Sequence, residues 1–319
     1  MPKLPAYYHQ STILTLDDDL LFSQVLARIL RPEFVVKTFN EPETFIEYVN
    51  HYQSPLSKNN VLRDCSEHNE YDTASHALVD LDVPALHSLQ HNQERHDEVS
   101  VVIVDYHMPN LTGLEVCHKL NKLKAKKILL TGASDQQIAI DAFNNNLIDK
   151  FIRKDSPTIA EEIMTYVRTL AKEYYIEQTT PIVNHLEASK SSPLSDTLFA
   201  TFFQQWCKEH HIKEYTLIDK NGGFCVIDQD DHESYFILHT DHSLNTFMNV
   251  IDDIEDATPY LKAIQSRELI PFFGVGIDSW TIEPSAWNEH YYPANLFTGR
   301  ENYYWSVVAS QADNKPDNC

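Results

Sequence analysis

The stretch Val101-Val102-Ile103-Val104-Asp105-Tyr106-His107-Met108-Pro109 contains four consecutive β-branched residues that lead directly into an aspartate. A short, unbroken apolar run of this kind is typical of a strand that is buried on both faces, as in a parallel sheet. In an open α/β sheet the functional crevice lies outside the carboxyl ends of the strands. The sequence therefore predicts that Asp105 lies at a functional site.

Three other apolar runs also end in polar residues that suit such a site. They are Ile13–Leu16 before Asp17 and Asp18, Ile128–Leu130 before Thr131, and Phe151–Arg153 before Lys154. Because the carboxyl ends of parallel strands meet at the same edge of a sheet, we expect these side chains to converge.

Residues 12 to about 175 alternate between strand-like runs and segments with helical spacing. The strand-like runs begin near residues 12, 34, 99, 127 and 150, and each is followed by apolar residues at helical intervals. Five strands alternating with five helices predict a parallel, doubly wound α/β domain. An insertion at about 52–98, between the second helix and the third strand, is much longer than an ordinary connection, and we expect it at the amino ends of the strands.

The remainder of the chain predicts a second, α+β domain. An amphipathic helix near Phe199–Trp206 precedes short strands, and Asn221-Gly222-Gly223 predicts a hairpin turn in a small antiparallel sheet. We expect an N-terminal tail at 1–10, the first domain at 11–177, a helical linker at 178–193, the second domain at 194–310 and a C-terminal tail at 311–319.

Composition narrows the class of protein. The formal net charge of −22 argues against broad binding to nucleic acid or anionic membranes, which requires Lys and Arg to neutralise phosphates. No apolar run has the ~20 residues of a membrane span, and the amino terminus does not begin a secretory signal. Five scattered cysteines favour reduced thiols, so we expect a cytoplasmic protein.

The predicted strand-end residues match the needs of a carboxylate that accepts a phosphoryl group. Such a carboxylate needs a divalent cation to offset the phosphoryl oxygens, and Mg²⁺ prefers oxygen ligands from acidic side chains. A hydroxyl and an ammonium then bind the remaining phosphoryl oxygens. Asp105, the Asp17-Asp18 pair, Thr131 and Lys154 supply these groups.

These motifs, with Gly113 and Thr131-Gly132-Ala133, resemble the receiver domain of bacterial two-component response regulators. The resemblance implies strand order 2-1-3-4-5 and phosphorylation of Asp105 by a sensor histidine kinase or phosphotransfer protein. It implies Mg²⁺ bound by Asp18, Asp105 and the His107 backbone carbonyl, with Asp17 acting mainly through water. It further implies phosphoryl ligation by Thr131 and Lys154, and so a phosphoacceptor signalling protein with autodephosphorylation rather than an enzyme.

The resemblance also implies a switch. Thr131 would move toward Asp105, Phe151 would turn inward as the aromatic switch residue, and a homodimer would form through the face of the fourth helix, fifth strand and fifth helix. Asp155 stands where the family usually has proline. A cis bond before a non-proline residue costs ~2.5–4 kcal/mol, so we expect the loop after the fifth strand to differ.

Each candidate residue also has a structural interpretation. Asp105 could be a buried residue of an inactive receiver, Asp17 and Asp18 could cap a helix, and Phe151 could simply pack in the core. Two further sets of residues contain potential metal ligands: Cys65, His68, His87 and His91, and the acidic run Asp228, Asp230, Asp231 and Glu233. The spacing of the first set matches no standard zinc site, and we favour the interpretation that the insertion is simply rich in histidine. The acidic run lacks EF-hand spacing, and we favour the interpretation that it is a solvated turn.

The sequence says less about the function of the second domain, which would produce the output of the switch. The whole chain resembles response regulators of Legionella-type quorum-sensing circuits, whose output region is not an ordinary DNA-binding domain. The second domain has no nucleotide-binding or hydrolase motif and no helix-turn-helix followed by a basic helix. We favour a protein-interaction module. The alternatives are nucleic-acid binding in a transcriptional or post-transcriptional regulator, and an enzyme acting on a nucleotide or signalling metabolite.

Overall fold

The computed structural model describes residues 3–56, 61–64, 79–188, 192–251, 258–277 and 281–310. The chain divides into two compact units. We call residues 9–58 and 93–178 the receiver unit, and residues 1–8, 59–92 and 179–319 the second unit.

Strands and α-helices alternate in the first part of the chain, and strands dominate the last part. The strands in the described ranges are β1 (Tyr7–Tyr8), β2 (Thr12–Leu16), β3 (Val35–Phe39), β4 (Leu62–Asp64), β5 (Val79–Leu81), β6 (Val99–Asp105), β7 (Lys126–Thr131), β8 (Lys150–Arg153), β9 (Ile212–Leu217), β10 (Phe224–Asp228), β11 (Glu233–Thr240), β12 (Leu269–Pro271), β13 (Tyr291–Pro293), β14 (Asn295–Thr298) and β15 (Asn302–Ala309). The α-helices there are α1 (Leu20–Leu30), α2 (Pro42–His51), α3 (Val83–Ser88), α4 (Gly113–Lys119), α5 (Gln136–Asn144), α6 (Ile159–Ala188), α7 (Thr197–Glu209), α8 (Asp241–Ile251) and α9 (Thr258–Gln265).

The receiver unit is built on a five-stranded parallel sheet in the order β3-β2-β6-β7-β8. This is the predicted order 2-1-3-4-5, and the predicted α/β class is confirmed. Alternate residues of its central strands enter two separate apolar clusters, with Leu14 and Val102 in one and Ile13 and Val101 in the other. Burial on both faces explains why these strands appear in the sequence as unbroken apolar runs.

Side-chain caps fix where the helices beside the site begin. The Asp19 carboxylate accepts backbone N–H bonds from Leu21 and Phe22, and Thr112 and Glu115 form a capping box at the start of α4. At the other end of the unit α6 continues to Ala188 with Pro181 inside it. Most of the predicted helical linker at 178–193 is therefore the end of this continuous helix.

The second unit contains a six-stranded antiparallel sheet in the order β1-β9-β10-β11-β15-β14, which confirms the predicted antiparallel domain. Helix α7 packs aromatic side chains on it, and the Phe203 ring lies 4.5 Å from Phe224 and 5.1 Å from Phe236. The predicted turn before β10 is present. Gly222 has φ +97°, a value that favours glycine.

The second unit contains two segments that lie outside the predicted boundaries of the second domain. Residues predicted as an N-terminal tail include β1, which pairs with β9 and leaves Leu4 and Ala6 buried. Residues 59–92, predicted as an insertion in the receiver, belong to the second unit. There Thr216 on β9 donates its hydroxyl hydrogen to the buried Gln90 side chain. Burial of these segments on the sheet is a tertiary effect that local sequence patterns do not reveal.

No helix in the described ranges has the length and apolar character needed to cross a membrane.

Candidate functional site: an acidic cluster at the strand ends

Three aspartates meet at the carboxyl edge of the receiver sheet. Asp105 is the last residue of β6, and Asp17 and Asp18 directly follow β2, the neighbouring strand. Each offers a carboxylate oxygen within 4.8 Å of the others. Asp17 and Asp105 are buried, at 0% and 4% exposure, whereas Asp18 is exposed. Three converging carboxylates, one of them open to solvent, suit a hard divalent cation such as Mg²⁺.

Lys154 joins the two buried carboxylates. Its Nζ lies 2.8 Å from Asp17 Oδ2 and 2.9 Å from Asp105 Oδ2. The Lys154 backbone N–H donates to the Thr131 carbonyl, and the ammonium lies 4.8 Å from the centre of the Phe22 ring. The lysine is therefore positioned by its backbone, by an aromatic face and by both of its charge partners.

Burial and the neighbouring charges shift the pKa values of these three groups in opposite directions. Burial raises the pKa of Asp105 and of Asp17, although the hydrogen bonds from Lys154 act to lower both. For Lys154, burial acts to lower the pKa, but the hydrogen bonds and charges of Asp17 and Asp105 outweigh it and raise the pKa. One ammonium thus serves two buried carboxylates, and the cluster retains an attraction for further positive charge.

Thr131 ends β7, the strand on the other side of β6. The residue is 1% exposed, and its Oγ1 is buried without a hydrogen-bond partner. A buried hydroxyl without a partner is costly and uncommon in folded proteins. This hydroxyl therefore has hydrogen-bonding capacity that the observed state does not use.

Gly113 allows the close approach of helix α4 to the site. A Cβ built on Gly113 would lie 2.2 Å from the Asp105 carbonyl oxygen and 3.0 Å from Leu129 Cδ1. The Gly113 backbone N–H donates to the Tyr106 carbonyl over 2.9 Å. Only a residue without a side chain permits this approach, so Gly113 helps to fix the backbone that carries Asp105.

The structure adds a contact that the sequence did not predict. His107 Nε2 lies 2.7 Å from Asp135 Oδ2 in the short helical turn after β7. The Asp135 side chain is 10% exposed and the His107 side chain 64%. The contact connects the loop after Asp105 to the segment that follows Thr131. No local spacing signals a pair 28 residues apart, although both residues follow strand ends.

Phe151 and Asp155 lie on either side of Lys154 in the sequence. Phe151 is half-buried on β8 and lines a cavity of 480 Å³ with Tyr166 and Phe143. Asp155 pairs with Arg153 through two hydrogen bonds of 2.7 and 3.0 Å. The peptide bonds of the described residues are trans, so the loop after β8 holds Lys154 in place with a trans backbone.

The other sequence candidates separate into different places. Asp228, Asp230 and His232 bring potential ligand atoms together in the loop between β10 and β11, but Asp228 Oδ1 already accepts backbone N–H bonds from the other two. Asp231 pairs with Lys213, and Glu233 starts β11. Cys65 and His68 lie outside the residues that the structure describes.

No protein-family model matches the chain, and no curated protein matches its sequence. Among solved structures, the response regulator LqsR of Legionella pneumophila is 28% identical. It aligns with 96% of this chain and 89% of its own chain, with a TM-score of 0.77.

Two further matches cover about half of this chain. An adenylate cyclase structure from Rhodopirellula baltica is 18% identical over 57% of this chain and 99% of its own, with a TM-score of 0.38. A CheY-like receiver domain protein from Methanospirillum hungatei is 16% identical over 53% of this chain and 98% of its own, with a TM-score of 0.35. At these scores neither match carries an argument about function.

The parallel sheet, the Asp17/Asp18/Asp105 cluster at its carboxyl edge and the similarity to LqsR over nearly the whole chain lead to one conclusion. The chain is a receiver-domain response regulator of two-component signalling, with a C-terminal antiparallel-sheet domain.

Proposed function

We propose that Asp105 accepts a phosphoryl group from a sensor histidine kinase or a phosphotransfer protein, and that the modification controls the second unit. The observation that carries the proposal is the Lys154 ammonium within 2.9 Å of both Asp17 and Asp105. Two buried carboxylates bridged by one cation form a preorganised environment for added phosphoryl charge.

Each residue of the cluster has a separate role in the phosphoryl transfer. An Asp105 carboxylate oxygen attacks the phosphorus of a phosphohistidine, the P–N bond breaks, and the donor imidazole leaves with the bonding electron pair. Asp18, Asp105 and the His107 carbonyl would hold Mg²⁺, with Asp17 acting through water, and the ion would offset charge on the phosphoryl oxygens. Lys154 binds one phosphoryl oxygen. Hydrolysis of the aspartyl phosphate later returns Asp105 to its carboxylate form.

Thr131 and Phe151 form the switch in this proposal. The unused hydroxyl of Thr131 turns to a phosphoryl oxygen and gains the hydrogen bond that it lacks. Its movement lets the half-buried Phe151 turn inward and remodels the face formed by α5, β8 and α6. A cavity of 480 Å³ beside Phe151 supports this step, because the ring has room to move. We propose that the remodelled face then forms a homodimer, by a shift of population toward the active state.

For the output, we propose that the second unit mediates protein interaction in a cytoplasmic signalling circuit. The net charge of −22 supports a protein partner over nucleic acid, because phosphate binding requires basic surface. A role in quorum sensing rests on the resemblance to Legionella-type regulators alone.

One observation favours a second candidate for the output, the binding or turnover of a small signalling metabolite. A cavity of 590 Å³ in the second unit is lined by Asp219, His239 and aromatic side chains such as Phe247. Burial raises the pKa of Asp219, although backbone N–H bonds act to lower it. If this cavity carries the output, Asp219→Asn abolishes the downstream response while phosphorylation of Asp105 continues. An unchanged response excludes this candidate.

Incubation with acetyl phosphate and Mg²⁺ tests the phosphoacceptor proposal. Wild type acquires one acid-stable, base-labile phosphoryl group, which phosphate-affinity electrophoresis resolves. Asp105→Asn abolishes it, and the matched variant Asp230→Asn, at an exposed carboxylate in the loop between β10 and β11, retains it. An unmodified wild type, or a modified Asp105→Asn, contradicts the proposal. Light scattering of the beryllofluoride-treated protein tests the dimer separately, since an unchanged mass refutes self-association alone.

A further inference from the structure

The cavity of the second unit contains a histidine whose two ring nitrogens both have partners. His239, on β11, has its Nε2 2.9 Å from the Pro271 carbonyl oxygen and its Nδ1 3.2 Å from the Ser243 hydroxyl oxygen. A carbonyl oxygen only accepts hydrogen bonds, so these contacts assign the ring proton of neutral His239 to Nε2. Nδ1 is then an acceptor, and the Ser243 hydroxyl is the donor that faces it. A hydroxyl that donates to an imidazole is the arrangement of a nucleophile beside its general base.

The surroundings keep His239 in its basic form. Burial lowers the pKa of His239, although the charge of Asp219 and the bond to the Pro271 carbonyl act to raise it. The imidazole is therefore neutral at physiological pH and can take up a proton. Asp219 lines the same cavity, and its Oδ1 accepts backbone N–H bonds from Asn221 and Gly223 over 2.8 and 3.0 Å. The ionised Asp219 would stabilise the imidazolium that forms when His239 takes up the proton.

Ser243 lies in the first turn of α8, where its hydroxyl is held by the start of the helix. Its Oγ accepts the Thr240 backbone N–H over 2.9 Å and lies 3.1 Å from the Thr240 carbonyl oxygen. Because the carbonyl before a helix also accepts the first N–H bond within the helix, the Ser243 proton can pass to His239 without leaving that carbonyl unbonded. The N–H groups of a first helical turn have no acceptor within the helix, so those beside Ser243 can donate to an oxygen that becomes negative.

Apolar side chains line the cavity beyond Ser243. Phe247 and Val250 follow Ser243 by four and seven residues, so they lie on the same face of α8, and both line the cavity. Phe272 and Ile277, from the segment after β12, line it as well. Val250 and Ile277 are 53% and 48% exposed, so a ligand that covered them would remove apolar surface from water. The cavity therefore combines a serine–histidine pair with a wall that suits an apolar chain.

We propose that Ser243 and His239 are the nucleophile and the general base of an esterase site for carboxylic esters with an apolar acyl chain. The Ser243 Oγ attacks the ester carbonyl carbon while its proton passes to His239 Nδ1. The bond from that carbon to the alcohol oxygen breaks, and the alcohol leaves with the proton. Water then attacks the acylated Ser243 and gives a proton to Nδ1, the bond to Oγ breaks, and the proton returns to Oγ as the acid is released. The assignment rests on the proposal that this cavity takes a small metabolite, and it does not depend on phosphorylation of Asp105.

A fluorophosphonate probe added to the full-length protein tests the nucleophile. The Ser243 Oγ is expected to displace fluoride from phosphorus, giving one adduct per chain that peptide mass spectrometry places on Ser243. Ser243→Ala is expected to abolish the adduct, and His239→Gln to slow its formation ~100-fold or more, because the base is lost. Ser266→Ala is the matched control with an unchanged rate. Ser266 Oγ likewise donates to the carbonyl three residues earlier, over 3.1 Å, but it is not part of the cavity wall.

Hydrolysis of p-nitrophenyl esters tests the substrate class in the same protein. The octanoate is expected to have a kcat/KM at least ten-fold above that of the acetate, because the longer chain buries more apolar surface. Val250→Asp is expected to remove this preference, and Asp105→Asn to leave labelling and turnover unchanged. Wild type without an adduct, an adduct at another residue, or an unchanged labelling rate in His239→Gln overturns the proposal. If Asp219→Asn abolishes the downstream response while wild-type Ser243 stays unlabelled, the cavity remains the output site and the esterase assignment alone is refuted.

Discussion

Substitution of Gly113 by alanine should damage the receiver unit at the residue that carries the site. The added Cβ would lie 2.2 Å from the Asp105 carbonyl oxygen, against 3.4 Å for ordinary contact, a shortfall of 1.2 Å. The carbonyl oxygen belongs to the backbone and the position of the Cβ is fixed by the backbone, so no flexible side chain can give way. Either α4 must move outward or the end of β6, with Asp105, must shift.

The expected change in the free energy of unfolding is the balance of two opposing contributions. Overpacking of a well-packed region costs typically 1–3 kcal/mol, and a backbone clash belongs at the upper end. Replacing glycine by alanine in a helix recovers up to ~1 kcal/mol of backbone entropy. We therefore expect Gly113→Ala to lower the free energy of unfolding by about 2 kcal/mol. Because a 1 Å misplacement of reacting groups can cost ~100-fold in rate, phosphorylation of Asp105 should slow by at least ten-fold.

Urea unfolding and the rate of acetyl phosphate labelling measure the two effects. Gly132→Ala is the matched control, because its Cβ would meet no backbone atom closely, only the Asp135 carboxylate at 3.2 Å, and its φ of −81° suits any residue. We expect the control to lose less than ~1 kcal/mol. If Gly113→Ala is as stable as Gly132→Ala and labels at the wild-type rate, the close approach of α4 does not constrain Asp105.

Three further predictions follow from burial and charge. Lys154→Met removes the cation between two buried carboxylates and should cost about 2–4 kcal/mol at pH 7.5 without divalent cations. Burial raises the pKa of Asp17 and Asp105, so the stability linked to their protonated forms is present below their unfolded pKa and lost as the pH rises through the folded pKa. Loss of Lys154 raises both folded pKa values further, and the deficit in urea unfolding should therefore shrink at acidic pH. Deletion of residues 1–8 removes β1 with buried Leu4 and Tyr7, each worth ~1.5–3 kcal/mol, and should destabilise the second unit by about 3–5 kcal/mol in thermal or urea unfolding. Asp18→Asn should weaken Mg²⁺ binding ten-fold or more in isothermal titration while leaving unfolding unchanged, because this side chain is exposed.

Each of these has a result that would contradict it. A Lys154→Met deficit that is equal at pH 5 and pH 7.5 would show that the carboxylates do not titrate as described. Wild-type stability after removal of β1 would mean that β9 does not need its edge partner. Full Mg²⁺ affinity in Asp18→Asn would remove the exposed carboxylate from the metal site. Beryllofluoride binding should survive the deletion of residues 1–8, which lie in the second unit.

The sequence by itself determined the receiver architecture. Strands buried on both faces appear as unbroken apolar runs, and each run is followed by the residue that the structure places at the carboxyl edge of the sheet. The parallel α/β class and the convergence of Asp17, Asp18 and Asp105 follow from this local pattern, whereas the strand order was implied by the resemblance to receiver domains. Periodicity and strand-end chemistry are short-range properties, and so they are visible without a structure.

Tertiary structure alone decided the features that depend on distant segments. The edge strand β1 and the segment from α3 to His91 join the second unit because they bury side chains on β9. This strand is more than 100 residues away from both in sequence. The His107–Asp135 contact and the approach of Glu233 to His91 are likewise set by packing. Such pairs carry no sequence period, since their contact depends on where whole elements pack, and the long-range burial that fixes them is a property of the folded chain.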